Sequence, residues 1–546
     1  MKNYRNLILT LASPVLVSAF VASRHRGTST NWIIGSDNNL RTCRNPFPLY
    51  MSTNPFTSMI GDVASSLFGS KNVAANENAE AALKAISTPS WMELRNSLES
   101  QQTFEEKAFR QNLAKGYGVA SPLHKARLYN ESNKEEDIAV TFYRDSASWC
   151  PYCQKVWLAL ETKEIPYRVE KINMRCYGEK PSSFMRIQPG GQIPVAEING
   201  RVYGQSNDIL QALEDQFPNS KKSLLPPDNL QSQAQMLYGL ERQLFSAWMY
   251  WLTGRSGGAK AKKEFIEVLR YVDTVLRKAD SPFFLGKDIS MVDVQFAPFL
   301  ERMAASLLFY KGFMIRVPPG EKTDFPGVNS WFDAMEKLPS YQLTKSDYYT
   351  HCWDLPPQLG GCTHEPDGKQ YEEAINGIRS LDGTQGSWEL PLQQHNGGVE
   401  PDWTWVGDEA TARREAVERV SANHEAIVKF ACRGAGSKGM PPYMAPLSDP
   451  NAIPNEAMQK PVDMCLRMVC EALLDGEVEA HNSKMHDIAT TIVSQGGKEY
   501  AEGVIASLTY LRDRVGVPRD MKLPAARQLR AHLNWSIGKI LAAKDS

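Results

Sequence analysis

The chain has 546 residues, of which 42% are hydrophobic and 23% are charged. This length exceeds what one compact core supports, so composition predicts a globular protein of two or three domains with extensions. The formal net charge of −1 gives no overall field that would attract nucleic acid or an anionic membrane, and neither partner is expected. Nine cysteines over this length lack the density of a disulfide scaffold, which fits a mostly reduced compartment.

The first 60 residues have the composition of targeting sequences. Lys2 and Arg5 precede an apolar run, and small residues follow that run, which predicts a signal peptide over 1–19. Residues 20–60 are rich in Ser, Thr and Asn and contain several arginines but a single acid, as transit peptides do. Together the two segments resemble the bipartite plastid presequences of algae with complex plastids. We expect plastid targeting, with secretion or an endomembrane lumen as the alternative.

A helical extension and a linker are predicted next, over 61–136. Residues 137–220 then alternate between β-rich runs and helical spacing, and Asn199-Gly200 suits a tight hairpin. The predicted strands are 138–143, 167–173, 194–198 and 201–203, and the predicted helices are 151–160, 181–188 and 206–217. The order β-α-β-α-β-β-α predicts an α/β thioredoxin-like domain with helices on both faces of its sheet.

Helical patterns dominate the remainder of the chain. Apolar residues at helical spacing predict an all-α domain over 228–346, in which Ser290 and Asp293 form a capping box. Residues 347–400 are rich in Pro and Gly and predict a linker with one helix at most. Further amphipathic patterns predict an additional C-terminal helical domain over 401–546, to which the sequence assigns no role.

The strongest chemical signal is a pair of cysteines at a predicted strand-to-helix junction. Cys150 lies where free N–H groups and the helix dipole favour a thiolate, and Pro151 suits the first helical position. Cys153 lies one turn further on, where it can resolve a mixed disulfide, and Lys155 adds positive charge. The position predicts that Cys150 is a nucleophile. A buried structural pair or half of a zinc site is the alternative reading.

These residues carry a family resemblance. Residues 150–153 read Cys-Pro-Tyr-Cys, the motif of glutaredoxins, and residues 138–345 resemble a glutathione transferase of the cysteine type, which comprises the omega, lambda and dehydroascorbate reductase classes. The resemblance implies a thioredoxin-like glutathione-binding domain over 137–220, followed by the all-α transferase C-terminal domain over 228–346.

The resemblance also implies a set of glutathione-binding residues. Residues 190–195 match the family's cis-proline loop, in which Pro194 is the cis residue and the backbone of Ile193 binds the cysteinyl part of glutathione. Gln205 and Ser206 match the pair that holds the γ-glutamyl group, although the cysteine-type classes usually have Glu where Gln205 stands. Arg186 is the nearest basic candidate for the glycyl carboxylate.

Two other groups of residues are chemically able to act but have weaker signals. Two Cys and two His near the predicted linker could bind zinc, but their spacing fits no metal motif, so no metal is expected. These residues are His351, Cys352, Cys362 and His364. Aromatic residues over 238–251 could line an acceptor pocket, although this spacing is more typical of a core. They are Tyr238, Phe245, Trp248, Tyr250 and Trp251.

The resemblance therefore predicts an enzyme, a glutathione-dependent thiol transferase or reductase with Cys150 as its nucleophile. Its expected partners are glutathione as co-substrate and a small oxidised or thiol-reactive molecule such as dehydroascorbate. One alternative is a transferase that conjugates glutathione to electrophiles. A second is a non-catalytic interaction protein whose C-terminal helical domain recruits a protein partner. The sequence leaves a homodimer open.

Overall fold

The computed structural model describes residues 73–546, apart from 255–257, 280, 319, 382–384, 393–398, 401–408 and 444. The predicted signal peptide and the predicted transit segment both lie outside the described residues. Among the residues described, none of the helices combines the length and the apolar character that crossing a membrane requires.

The described residues form 18 α-helices and five β-strands. In chain order they are α1 (Val73–Lys84), α2 (Trp91–Gln101), α3 (Phe104–Ala114), β1 (Ala126–Arg127), β2 (Val140–Asp145), α4 (Pro151–Lys163), β3 (Tyr167–Ile172), α5 (Ser182–Ile187), β4 (Val195–Ile198), β5 (Arg201–Tyr203), α6 (Ser206–Gln216), α7 (Gln231–Thr253), α8 (Gly258–Lys278), α9 (Met291–Lys311), α10 (Pro326–Met335), α11 (Pro339–Gln342), α12 (Tyr348–Leu359), α13 (Lys369–Ile375), α14 (Glu409–Ser421), α15 (His424–Ala431), α16 (Gln459–Asp475), α17 (Asn482–Arg512) and α18 (Leu523–Asp545).

The five strands make one mixed sheet in the order β1-β3-β2-β4-β5. Strands β2 and β3 are parallel, and the other three pairs of neighbours are antiparallel. Along β2, Val140 and Phe142 are buried on the side of α4, whereas Tyr143 contacts Phe184 of α5 on the opposite face. Helices therefore cover both faces, and the predicted thioredoxin-like fold is confirmed. We call residues 126–216 the sheet domain.

Strand β1 lies inside the segment that the sequence predicted to be a helical extension and linker. It pairs with the edge of β3, and Arg127 forms a buried ion pair with Glu161 of α4, with 3.3 Å between Nε and Oε1. The hydroxyl of Tyr167 donates to the same carboxylate at 2.6 Å. This buried ion pair holds β1 against the sheet, and a two-residue strand is too short to produce an alternation that the sequence would reveal.

Helices α7 to α13 form the first helical domain, residues 231–375. Helix α9 is buried along almost its whole length and contacts α4, α7, α12 and α13. The predicted capping box is present, because the carboxylate of Asp293 accepts hydrogen bonds from the N–H and the hydroxyl of Ser290 at 2.8 and 2.7 Å. The all-α prediction for this region is confirmed.

Helices α12 and α13 occupy part of the stretch that was predicted to be a linker. Asp347 caps α12, its Oδ1 accepting from the N–H of Thr350 at 3.0 Å, and the first two turns are buried. Pro356 and Pro357 lie in the last turn, so they end the helix rather than prevent it. The Pro and Gly content therefore marked the end of a buried helix and not a flexible connection.

Both ends of the chain build a second helical domain, formed by residues 73–114 and 409–545. Their apolar side chains share one core, to which α1 and α2 contribute Ala79, Leu83 and Leu94. The indole N–H of Trp91 donates to Asp463 of α16 at 2.7 Å. The N-terminal helices are therefore part of this domain and not a separate extension.

Candidate thiol site

Cys150 lies between the end of β2 and the start of α4, as the N-cap residue of that helix. Pro151 takes the first helical position, where a missing N–H costs nothing. The sulfur of Cys150 therefore faces a helix N-terminus, whose free N–H groups and partial positive charge favour a thiolate. Cys150 is 7% exposed and Cys153 is 1% exposed, so both residues are buried and Cys150 is the less buried of the two.

The environment of Cys153 perturbs the protonation of its thiol. Burial raises the pKa of the Cys153 thiol well above its usual range, and the hydrogen bond to Cys150, the charge of Cys150 and the carboxylate of Asp145 act in the same direction. Cys153 therefore keeps its proton and supplies a hydrogen bond to Cys150. The arrangement assigns different tasks to the two cysteines that the sequence presented as a pair.

Arg302 and Lys180 interact electrostatically with Cys150. Burial lowers the pKa of Arg302, and the charges of Glu301 and Cys150 oppose that shift. Burial likewise lowers the pKa of Lys180, and Cys153 and Cys150 oppose it. Both cations therefore lie close enough to the thiol to stabilise its ionised form.

Lys155, the cation that the sequence places near the sulfur, has contacts with α9. Its Nζ donates to Gln295 at 2.6 Å and lies 4.5 Å from the centre of the Phe299 ring. Gln295 in turn donates to Asn207 at 3.0 Å, in the first turn of α6. Lys155 thus joins the first turns of α4 and α6 through α9, a structural task that differs from the predicted one.

The residues predicted to bind glutathione lie on the segments that surround this junction. The peptide bond between Ile193 and Pro194 is cis, Ile193 is half-buried, and β4 begins directly afterwards. Gln205 is the exposed N-cap residue of α6 and Ser206 is its half-buried first residue. A helix N-terminus of this kind favours a carboxylate.

Arg186, the predicted basic residue, is exposed in the last turn of α5. Lys180 lies closer to the thiol site, because its charge acts on both cysteines. The side chain of Lys180 also approaches the proline loop, since a Cβ placed on Gly191 would lie 3.3 Å from its Cδ. Sequence reasoning missed Lys180 because no local pattern connects it to Cys150, thirty positions earlier.

A buried hydrogen-bonded chain lies behind the motif, and sequence reasoning missed this as well. The indole N–H of Trp149 donates to Nδ1 of His351 at 2.9 Å, and Nε2 of His351 lies 2.8 Å from Oε1 of Glu301. Burial opposes ionisation of Glu301, but the hydrogen bond from His351 and the charge of Arg302 hold the pKa of that carboxyl below its ordinary value. His351 had been considered only as a zinc candidate.

The remaining zinc candidates also have other partners. Cys352 is fully buried and its thiol donates to the carbonyl oxygen of Ala305 at 3.5 Å. His364 lies 3.2 Å from the carboxylate of Glu372. No group of three or more potential metal ligands comes together in the part of the chain that the structure describes.

The aromatic candidates divide between core and surface. Trp248 and Trp251 are buried in the core of the first helical domain, and Tyr250 is 49% exposed. Phe245 packs edge-to-face on Phe299, 4.9 Å between ring centres, and Phe299 packs in the same way on Tyr152 of the motif at 5.8 Å. Of the five candidates, Phe245 is thus joined to the thiol site by ring contacts.

Comparison with known proteins places this site in a family. The family descriptions "Glutathione S-transferase, N-terminal domain" and "Glutathione S-transferase, C-terminal domain" match residues 149–216 and 240–334. The chain carries the two domains of a glutathione S-transferase. We call the sheet domain and the first helical domain together the transferase unit. This unit is that of an enzyme class, the glutathione transferases or thiol oxidoreductases. Helices α1 to α3 and α14 to α18 lie outside both matched ranges.

Two sequence relatives carry the same family name. Glutathione S-transferase DHAR2 of Arabidopsis thaliana is 28% identical over 197 residues, 36% of this chain and 84% of the relative. Glutathione S-transferase L3 of the same plant is 28% identical over 200 residues, 36% of this chain and 79% of the relative. The crystal structure of glutathione transferase Omega 3C from Trametes versicolor aligns with 26% identity and a TM-score of 0.33, over 38% of this chain and 90% of that one.

Proposed function

We propose that the protein is a glutathione-dependent thiol transferase in which Cys150 is the nucleophile. The observation that carries the proposal is the arrangement around that sulfur. Cys150 caps the N-terminus of α4, Cys153 keeps its proton beside it, and the charges of Arg302 and Lys180 act on it. Each of these features favours a thiolate, which is the reactive form of cysteine.

The residues around Cys150 suit the two carboxylates and the peptide backbone of glutathione. The γ-glutamyl carboxylate would bind at the N-terminus of α6, where Ser206 stands. The backbone of Ile193, ahead of Pro194, would pair with the cysteinyl part in the manner of an added strand. The glycyl carboxylate would bind Lys180, because the charge of this half-buried cation interacts with both cysteines and its Cδ approaches Gly191 of the proline loop.

The proposed reaction has two exchange steps. The thiolate of Cys150 attacks the glutathionyl sulfur of a mixed disulfide, and the substrate thiolate leaves and takes up a proton. The thiolate of a second glutathione then attacks the glutathionyl sulfur on Cys150, which releases oxidised glutathione and restores the Cys150 thiolate. The charges of Arg302 and Lys180 stabilise that thiolate each time it is released.

The burial of Cys153 favours this one-cysteine route. For Cys153 to resolve the mixed disulfide it must lose its proton, and burial raises the pKa of its thiol. Free glutathione has no such barrier. We therefore propose that Cys153 supports the thiolate by its hydrogen bond and does not take part in each turnover.

The test is a glutathione-coupled assay of the full chain with 2-hydroxyethyl disulfide, comparing wild type with Cys150→Ser and Cys153→Ser. We expect Cys150→Ser to lose at least about a thousandfold in kcat, since it lacks the nucleophile, and Cys153→Ser to remain active. Equal losses in the two variants would support a two-cysteine route instead.

Two outcomes would replace the proposal. Turnover of an electrophilic aromatic substrate that survives Cys150→Ser would indicate a conjugating transferase. Retention on immobilised glutathione without turnover of disulfides or electrophiles would indicate an interaction protein.

Dehydroascorbate is the physiological oxidant that we propose to test first, because relatives that carry the DHAR name match the transferase unit. In that reaction two glutathiones are oxidised to the disulfide and dehydroascorbate takes up two electrons and two protons. We further propose a plastid location on the basis of residues 1–60. A fluorescent protein fused behind these residues would report it, and secretion of the fusion would contradict it.

A further inference from the structure

The second helical domain reaches the transferase unit through a buried ion pair. Arg530 of α18 donates from Nη1 to Oδ2 of Asp347 at 2.9 Å, and the two side chains are 2% and 0% exposed. Nη2 of Arg530 donates to the carbonyl oxygen of Val515 at 2.8 Å. The hydrogen bond to Val515 therefore orients the guanidinium within its own domain, and its positive charge lies at the start of α12.

Asp347 connects the charge of Arg530 with the position of helix α12. Its second oxygen, Oδ1, accepts from the N–H of Thr350, so the same carboxylate caps α12 and pairs with Arg530. His351 follows one turn later, and its N–H donates to the carbonyl oxygen of Asp347 at 3.1 Å. The placement of His351 thus depends on the residue that Arg530 holds.

The hydrogen bonds of His351 admit one arrangement of its proton. The indole N–H of Trp149 can only donate, so Nδ1 of His351 accepts it and Nε2 carries the proton that is donated to Glu301. Burial, with the charge of Arg302, lowers the pKa of His351. A neutral imidazole with both nitrogens engaged has its ring orientation fully determined.

The other end of this chain fixes both sides of the reactive motif. Trp149 directly precedes Cys150, and its carbonyl oxygen accepts from Arg302. Gln154, in the first turn of α4, donates to Glu301 and accepts from Arg302, both at 2.8 Å. The residues on either side of the Cys-Pro-Tyr-Cys segment are therefore held by groups that His351 organises.

We propose that His351 is a positioning residue for Cys150, and that Arg530 of the second helical domain holds it through Asp347. His351 does not touch the reacting sulfur. It acts by orienting Trp149 and by keeping Glu301 from turning toward Arg302, whose charge then remains available to the thiolate. The inference rests on the proposed role of Cys150, and it makes the second helical domain a part of the working enzyme.

The first experiment compares His351→Phe with His351→Gln in the full chain. Phe keeps the ring volume but removes both hydrogen bonds, whereas the Gln amide can accept from Trp149 and donate to Glu301. We expect His351→Phe to lower kcat about tenfold or more with KM for glutathione within about twofold, because misplacement of a reacting group is costly while binding is unaffected. His351→Gln should recover most of the loss.

A second measurement does not depend on turnover. The rate of alkylation of Cys150 by iodoacetamide, followed by mass spectrometry, should fall in His351→Phe and recover in His351→Gln. The matched control is His124→Phe, since His124 is also buried and bonded to a backbone carbonyl, 3.3 Å from Val119, but has no contact with the network. An unchanged alkylation rate and kcat in folded His351→Phe would overturn the inference.

The link to the second helical domain is tested with Arg530→Met, alone and with Asp347→Asn. The single change leaves a buried carboxylate unpaired, whereas Asn keeps the cap of α12 without the charge. We expect both kcat and the alkylation rate to fall about fivefold or more in Arg530→Met and to recover in the double variant. Arg467→Met is the control, because Arg467 bonds Thr88 and Pro89 inside the second helical domain.

These outcomes separate the two proposals. If wild type turns over no disulfide but alkylation of Cys150 still depends on His351 and Arg530, the proposed function fails and the positioning inference stands. If wild type is active and neither His351→Phe nor Arg530→Met changes kcat or alkylation, the positioning inference fails and the proposed function stands.

Discussion

The transferase unit and the second helical domain place their buried charged side chains differently. Around the thiol site the buried residues include Arg144, Asp145, Glu301 and Arg302, each joined to partners by hydrogen bonds. The second helical domain has a core of aliphatic, Met, Cys and Tyr side chains; its buried polar residues include Ser507, His532 and Ser536, and its buried Arg530 faces Asp347 of the other unit. Apolar burial supplies stability without direction, whereas buried polar groups fix orientation, so we expect substitutions in the two interiors to differ in kind.

The largest effect is expected in the apolar interior. Leu533 of α18 is fully buried, and Leu533→Ala should lower the free energy of unfolding by about 2–5 kcal/mol, since it removes buried methyl groups and leaves a cavity. Urea unfolding measures this change. The kcat of the molecules that remain folded should not change. A loss of kcat at unchanged stability would contradict the expected difference between substitutions in the two interiors. Met92→Ala is the control, because Met92 is 71% exposed and should change stability by less than about 0.5 kcal/mol.

In the transferase unit, a buried carboxyl should make the free energy of unfolding fall as the pH rises. Burial raises the pKa of Asp354 in α12 from 3.8 to about 7, and the hydrogen bond from Tyr177 only partly opposes this. Between these pH values the folded state holds a proton that the unfolded state has lost, so stability falls by at most about 1.4 kcal/mol per pH unit. Asp354→Asn should remove the slope and be the more stable protein at pH 8. Identical pH profiles of wild type and variant would contradict this.

The second helical domain should respond to pH with the opposite sign. Burial lowers the pKa of His532 in α18 from 6.5 to about 4. In this window the unfolded state holds a proton that the folded state lacks, so stability is complete above pH 6.5 and falls as the pH drops toward 4. His532→Gln should flatten this part of the profile while leaving the slope due to Asp354 in place. Urea midpoints at pH 4.5 and 7 would measure it.

A smaller effect is expected at the glutathione site. Lys180→Met keeps the aliphatic chain beside Gly191 but removes the charge proposed to bind the glycyl carboxylate. KM for glutathione should rise about tenfold, equivalent to about 1.4 kcal/mol. Steady-state kinetics check this, with Arg186→Ala as the comparison. If Arg186→Ala raises KM and Lys180→Met does not, the carboxylate partner is the one that the sequence suggested.

The smallest predicted change concerns the contact between α2 and α16. Trp91→Phe removes the hydrogen bond to Asp463 and should lower the free energy of unfolding by about 0.5–1.5 kcal/mol. Because α2 shares the core of α16, the loss should appear in the main unfolding transition of the domain. A separate early transition of the N-terminal helices alone would show that they are not part of that core.

Features that depend on residues close together in the sequence could be predicted, and contacts between distant residues could not. The order of strands and helices, the cysteine motif and the Ser290–Asp293 cap are encoded in short segments, and local pattern sufficed for them. Lys180, His351 and Arg530 are joined to the site by contacts between residues up to about 200 positions apart, which no periodicity records. Composition also misled where α12 ends in two prolines, because burial of its first turns outweighed the signal of a linker.

The shared core of the two chain ends has a consequence during synthesis. Helices α1 and α2 are translated about 300 residues before α14 to α18, which supply the apolar surfaces that cover them. The transferase unit is complete before that surface exists, and domains of nascent chains generally fold as they emerge. The two early helices must therefore wait, exposed or shielded by a chaperone, until those later helices are made.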